Sequence, residues 1–472
     1  MKLRSILQIV LILFACNAGF SQSLDWMNDI TVFGSAADER LPAIAIMANS
    51  GEIRVLCTRG DSLVSGKLSL DAGSHWSIAA DLPVPGATRP CACADDEFAY
   101  VLLWSPGSGD RILYRFPPRG NDWGAAAQVS VVPDRTQPVY SVCMATDYEF
   151  QPDDPYLNVC WMENNIQTGQ VAGWFVQSRD RGSTVRQETR VFEGRVLELD
   201  DAQVSMAAAW VEDQERILVA TSLDRPGSVP HQIRLFVSED QGGIWNEGFI
   251  VDGTSADQSA AAIAAFEDIV LLSYVQRTAA GEPGDVMLSY SLDAGATFTP
   301  PIAVAGTALD EYSPHVAISG AEGRFWITYL AGEVNSDSAT VYVREGFLQI
   351  PGELGPAIML SGEIAAVRHG GMAISSGPLG AAAAWTARFP LGDTDVCFDA
   401  SWRTARISDS PPSIARSMEW RVYPNPFNGT TILTVSLAHP RELLIRVTDM
   451  LGRRVSEIRA GRHEAGVHRV AL

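Results

Sequence analysis

Ser69-Leu70-Asp71-Ala72-Gly73 returns unchanged as Ser291-Leu292-Asp293-Ala294-Gly295, and three residues later each copy meets an aromatic, Trp76 and Phe298. A third full copy of this Ser-x-Asp-x-Gly-x-x-aromatic unit reads Ser238, Asp240, Gly242, Trp245. A fourth keeps Ser178, Asp180 and Gly182, with Val185 in the aromatic's place. Each residue type has a task in a tight β-hairpin. The aspartate accepts hydrogen bonds from N–H groups of its own turn, the glycine supplies a positive φ, and the aromatic folds back as an apolar plug.

Around these hairpins the chain is a succession of short apolar or alternating runs between Gly, Pro, Asp and Ser clusters, the pattern of many short strands. Set in register on the hairpins, the runs form a repeat of roughly fifty to sixty residues. Opening strands fall at 41–47, 139–145, 204–209, 260–265, 316–319 and 371–375, and one further unit is marked by its second strand, 100–104, giving seven units. The second unit keeps only Gly120 and Trp123 of its hairpin motif, the sixth is reduced to about Gly346, and the seventh to a remnant at Asp399. Opening strands such as Ala207-Ala208-Ala209 and Ala260-Ala261-Ala262 suit the crowded axis of a radially closed structure. The repeated hairpin resembles the Asp-box, or BNR repeat, of sialidase-like β-propellers. The resemblance implies an all-β, seven-bladed propeller over 24–405, with six blades as the alternative because the sialidase family has six. The boxes are then structural, on the face away from any ligand. No fourth strand follows Asp399, and Ile30-Thr31-Val32-Phe33 is expected to supply it and lock the ring.

Residues 406–419, with Pro411-Pro412, read as a linker. Beyond it lie Tyr423-Pro424-Asn425-Pro426-Phe427-Asn428 and the turn Asp449-Met450-Leu451-Gly452-Arg453-Arg454-Val455. Alternating strands joined by tight turns give a small immunoglobulin-like β-sandwich over 420–472. These two motifs resemble the C-terminal (type A) sorting domain of type IX secretion cargo. That implies export machinery as a partner and a place outside, or on the outer membrane of, a Gram-negative bacterium. The family's final strand is missing after Leu472, which reads as truncation.

The start of the chain agrees with export. Lys2 and Arg4 precede an apolar run over 6–14 that is short for a bilayer span, and Gly19 and Ser21 offer a cleavage site before Gln22, so 1–21 reads as a signal peptide. No later stretch is apolar enough for a membrane helix. The formal charge of −21 argues against nucleic acid as a partner. Six cysteines remain after cleavage, and the positions of Cys143 and Cys160 on neighbouring strands allow a disulfide. Neither the cysteines nor the seven histidines have metal-ligand spacing. The doublets Asp95-Asp96, Asp153-Asp154 and Asp200-Asp201 are the only calcium candidates, and solvated loops explain them as well. No cofactor is expected.

Any ligand site belongs on the face made by the connections into each opening strand and out of each second strand. There Arg40-Leu41-Pro42-Ala43 resembles the sialidase arginine motif, and Asp61 falls where that family carries its acid/base aspartate. The resemblance implies carboxylate recognition by Arg40 and catalysis at Asp61, with two more arginines and a tyrosine–glutamate pair. Arg277, Arg368 and Arg388 are the candidate arginines, Tyr312 the candidate tyrosine, and Glu163, Glu282 and Glu333 its candidate partners. Two functions stand side by side: a module binding a glycan or a surface protein, or a sialidase-like exo-glycosidase.

Overall fold

The computed structural model describes residues 30–402 and, outside them, 6–12, 26, 418–423, 432–437, 441–448, 454–463 and 466–471. Within 30–402 it leaves out 36, 61–62, 83, 85, 105–110, 119–125, 129–138, 147–155, 166–167, 197–202, 212–213, 226–227, 252–255, 280–281, 321, 335, 363–364, 369–370, 378–379 and 389–392. Two compact units result, one of residues 24–403 and one of 1–23 with 404–472.

The larger unit is a seven-bladed β-propeller. Blade 1 runs outward through Glu39–Ile46, Ile53–Arg59, Leu63–Ser69 and Ala80–Asp81, each strand antiparallel to the last. Blades 2 to 5 repeat this order, opening with Thr88–Ala94, Val139–Thr146, Val204–Val211 and Asp257–Phe266. Blade 6 opens with Asp310–Ser319 and ends at Ile358–Met359. Blade 7 comprises Met372–Gly377, Gly380–Arg388 and Thr394–Trp402, and its fourth strand is Ile30–Phe33, antiparallel to Thr394–Trp402. The seven opening strands touch in succession, and Met372–Gly377 returns to Glu39–Ile46, so the ring is closed. The two-residue strand Ala366–Val367 pairs with both Ser338–Phe347 and Gly380–Arg388, tying blades 6 and 7 into one sheet.

Apolar clusters fill the gaps between blades. Ala207, Ala209 and Ala261 pack with Leu218, Leu272 and Tyr274 between blades 4 and 5, where small side chains let the opening strands approach the axis. The polar half of the motif has one geometry in all four copies. In each, the serine hydroxyl accepts the glycine N–H at 2.8–2.9 Å, and the aspartate accepts the N–H four residues on at 2.8 Å. At Asp240 the N–H of Ile244 is the main influence, holding the carboxyl below its ordinary range. Trp76 and Trp245 sit edge-on to Phe398 and Phe175 of the preceding blade, at 5.0 and 5.1 Å between ring centres. Val185 packs into the cluster between blades 2 and 3 in the same manner.

Three expectations need correction. Gly346 lies inside the third strand of blade 6, where an added Cβ would meet the Phe325 ring at 2.2 Å, so it is a packing glycine. Asp399 also lies inside a strand and accepts the Ala400 N–H at 2.7 Å; the fourth strand of this blade comes from the other end of the chain. Cys143 and Cys160 stand opposite each other across two strands of blade 3 without a disulfide, and no disulfide joins Cys57, Cys91, Cys93 or Cys397. Gly120 and Trp123 fall outside the described residues.

The smaller unit contains two three-stranded sheets. One is ordered Met418–Tyr423, Ile432–Leu437, Gly466–Ala471, and the other Ile6–Ile12, Arg441–Thr448, Arg454–His463. Ile6–Ile12 runs parallel to Arg441–Thr448, with Ile6 opposite Glu442. Of the export motif only Tyr423 is described; Pro424, Asn425, Pro426, Phe427 and Asn428 lie outside the described residues. Among the described residues no helix is long and apolar enough to cross a membrane.

Candidate functional site

Antiparallel order places the start of every first strand, the end of every second and the start of every third on one face, opposite the box hairpins. On this face the opening strands of blades 1, 2, 5 and 6 share a bulge. Leu41 (φ 53°), Arg89 (φ 52°), Ala260 (φ 53°) and Ser313 (φ 52°) take the left-handed conformation, and the strand register shifts at each. Proline follows at positions 42, 90 and 314. A bulge of this kind re-aims the side chain ahead of it; here those are Arg40, Thr88, Ser259 and Tyr312.

An aspartate stands three residues before the bulge in three of these blades and ties it to the blade before. Asp38 accepts from the Thr394 N–H and hydroxyl at 3.2 and 3.1 Å. Asp257 accepts the His231 N–H at 2.7 Å, and Asp310 the Gly284 N–H at 2.8 Å. The R-L-P-A stretch is therefore one instance of a blade-to-blade latch. Asp134-Arg135-Thr136-Gln137-Pro138 has the same spacing in the sequence but lies outside the described residues. Comparing the lead-ins of all units, in the way the box hairpins were compared, would have revealed this repeat.

The candidate arginines are each engaged by a carboxylate of the chain. Arg40 is half exposed; its Nη2 donates to Asp38 at 2.8 Å and its Nε to Thr394 Oγ1 at 3.4 Å. Arg277 and Arg368 converge on Asp310, Arg277 at 3.4 Å. Arg277 also donates to Ser259 at 3.2 Å, and the Arg368 guanidinium lies 4.1 Å from the centre of the Tyr312 ring. Arg388 pairs with Asp337 at 2.7 Å. Two of the four thus share a site, and its anion is Asp310.

Tyr312 is buried, and its hydroxyl has no hydrogen-bond partner among the described residues. Burial, and then the charge of Asp337, push the phenol above its usual range, which weakens it as a nucleophile. Glu163 belongs elsewhere: it forms a buried ion pair with Arg111 and accepts from Trp161 Nε1 at 3.2 Å, joining blades 2 and 3. Glu282 and Glu333 are exposed, and Asp61 lies outside the described residues.

Other polar groups on this face were not singled out by sequence reasoning. His231 sits between Asp257, 2.9 Å from Nδ1, and Asp224, 3.3 Å from Nε2. Arg89 is exposed beside Arg40's strand and donates its N–H to Thr58 at 3.1 Å. Among the described residues no group of three or more His, Cys, Asp or Glu could hold a metal ion. On the opposite face, Asp95 accepts the N–H groups of Glu97 and Phe98 and the Tyr100 hydroxyl, and Asp96 pairs with Arg181 and Asn49. That doublet forms a turn; Asp153-Asp154 and Asp200-Asp201 lie outside the described residues.

No family model matches the sequence. An alignment 137 residues long, covering 26% of the chain, is 30% identical to the Kelch repeat and BTB domain-containing protein 13 of Homo sapiens and spans 28% of that protein. Among solved structures, the α-L-arabinanase of Penicillium chrysogenum complexed with arabinobiose aligns over 79% of this chain and 98% of its own, with TM-score 0.43 and 11% identity. The GH93 α-L-arabinofuranosidase of Fusarium graminearum with arabinobiose aligns over 80% and 98%, with TM-score 0.42 and 10% identity. The Trypanosoma rangeli sialidase with the inhibitor DANA aligns over 79% and 57%, with TM-score 0.36 and 11% identity.

Proposed function

We propose that this is an exported β-propeller that binds a glycan or a surface protein on the face carrying the strand lead-ins, and that it does not hydrolyse sialosides. The observation that carries the reading is the state of the hydrolytic parts. Arg277 and Arg368 are held by Asp310, Arg388 by Asp337, and Arg40 by Asp38. The Tyr312 phenol is buried, and among the described residues no group hydrogen-bonds to its hydroxyl. A face already neutralised within itself suits recognition better than the gripping of a free carboxylate. Arg40 remains half exposed and Arg89 is exposed, so these two are the contacts offered to an acidic group.

The test is an array of acidic and neutral glycans probed with the purified protein, together with a fluorogenic sialoside. Binding without fluorophore release is expected. Replacing Arg40 or Arg89 by alanine should weaken binding about tenfold, the worth of one charge-assisted hydrogen bond. Sialoside turnover that disappears in Arg40→Ala and Asp61→Asn would instead establish the exo-glycosidase reading.

The export half of the proposal rests on the signal-like start and on the Tyr423–Asn428 and Asp449–Val455 motifs. In a Gram-negative host with a type IX system, deleting 420–472 should leave the propeller in the periplasm while the full chain reaches the surface or medium. Cell fractionation reads the difference, and equal distribution of the two forms would refute it.

A further inference from the structure

We propose that the smaller unit docks on a membrane surface bearing anionic lipid phosphates, through one face of the ladder between Arg441–Thr448 and Arg454–His463. The charge of −21 is divided unevenly along the chain. Residues 24–403 hold 23 lysines and arginines against 50 aspartates and glutamates. Residues 420–472 hold eight arginines, no lysine and four acidic residues, a net +4. A basic unit on a strongly acidic chain marks a surface suited to anions.

The strand register sorts those arginines. Glu442 stands opposite Arg462, Leu444 opposite Arg459, Arg446 opposite Glu457 and Thr448 opposite Arg454. Opposed residues of antiparallel strands share a face, so these eight positions lie together. Two register shifts bring this about: the ladder skips Ala460 and Val455, which sets Arg459 against Leu444 and Arg454 against Thr448. The alternate pairs, Leu443 with Gly461, Ile445 with Ile458 and Val447 with Ser456, form the other face. The alternation is that of a half-solvated sheet, with the apolar face for a core and the arginine face for water. The third strand of the sheet, Ile6–Ile12, adds no charge.

Arg446 and Arg462 stand opposite glutamates, whereas the ladder sets no carboxylate opposite Arg454 or Arg459. A guanidinium fork matches two phosphate oxygens at once. Same-face positions recur about every 7 Å along a strand and about 5 Å across the pair, which makes a flat array without a groove. Lipid headgroups drift sideways in a bilayer and can gather under such an array, while the phosphates of a nucleic acid are fixed in their spacing. Leu444 among the arginines adds an apolar contact at the headgroup boundary, and apolar burial with basic charge is what holds a protein at that interface. No aromatic stands at the eight positions, so the stacking platform of single-stranded nucleic-acid binders is missing there.

Co-sedimentation of the full chain with vesicles tests the proposal. Phosphatidylcholine vesicles containing one third phosphatidylglycerol should bind it, and phosphatidylcholine alone should not. Raising salt from about 0.1 M to about 0.5 M should release the unmodified protein, a readout that needs no variant. Each arginine near a headgroup layer contributes about fivefold, so Arg454→Gln with Arg459→Gln should weaken binding about 25-fold. Arg421→Gln with Arg469→Gln removes the same charge from the other sheet, where the two flank Thr434, and should leave binding within about threefold. Binding that ignores lipid charge or salt would overturn the proposal, as would equal losses in the two double variants. Equally tight binding to a DNA duplex would overturn it too, by making the face a general polyanion binder. The vesicles carry no sugar, so the outcome is independent of the glycan array.

Discussion

Gly242→Ala is expected to destabilise the propeller by about 3 kcal/mol, combining the left-handed backbone cost with overpacking. Gly242 has φ +84°, and a Cβ there would lie 2.0 Å from Cε1 of Phe175 in the preceding blade. Phe175 has nowhere to retreat, because Trp245 of the same box lies edge-on to it. Gly86 is the control. It has φ +78° but nothing within 4 Å of the added carbon, so Gly86→Ala should cost only about 1–2 kcal/mol. Urea midpoints of the two variants separate the terms, and equal losses would show that packing against the previous blade adds nothing. The box glycine thus has two reasons to be glycine, one within its turn and one across the blade gap. Gly73 and Gly295 repeat the arrangement against Phe398 and Leu218.

Glu163→Ala should be at least as damaging, at about 3–5 kcal/mol, because it takes a carboxylate away from a buried guanidinium. Arg111 is 1% exposed and lies 5.1 Å from the centre of the Trp161 ring, which leaves no route to water. Replacing both charges, as Arg111→Met with Glu163→Leu, should recover most of the loss. Thermal unfolding of the single and double variants measures this. A single variant with unchanged stability would show that the ion pair between blades 2 and 3 is dispensable. The outcome also bears on function, since Glu163 was a candidate partner for a catalytic tyrosine and its place in the fold is structural.

The repeat and its closure could be read from the sequence because both are written in local chemistry. Ser-x-Asp-x-Gly turns are self-contained, and Ile30–Phe33 is a short apolar strand in a place where blade 7 lacks one. The lead-in latch was harder to see. Asp38, Asp257 and Asp310 bond to residues of the preceding blade, at Thr394, His231 and Gly284. Nothing near those aspartates in the sequence names such partners. The roles of Arg277 and Arg368 were hidden for the same reason, as their common carboxylate belongs to blade 6 while they come from blade 5 and from the approach to blade 7. Gly346 and Asp399 were misread because a residue type typical of a turn also serves inside a strand, one to admit a ring and one to cap its own neighbour's N–H.

Because Ile30–Phe33 zips onto Thr394–Trp402, no peptide bond crosses from one to the other at that edge, and only lateral hydrogen bonds resist pulling there. A force applied to the two ends of the propeller unit, at residues 24 and 403, would load this pair before any other sheet of that unit. The propeller has a tear line, and under such a load its first mechanical event should be the peeling of one short strand, with the other six blades still whole.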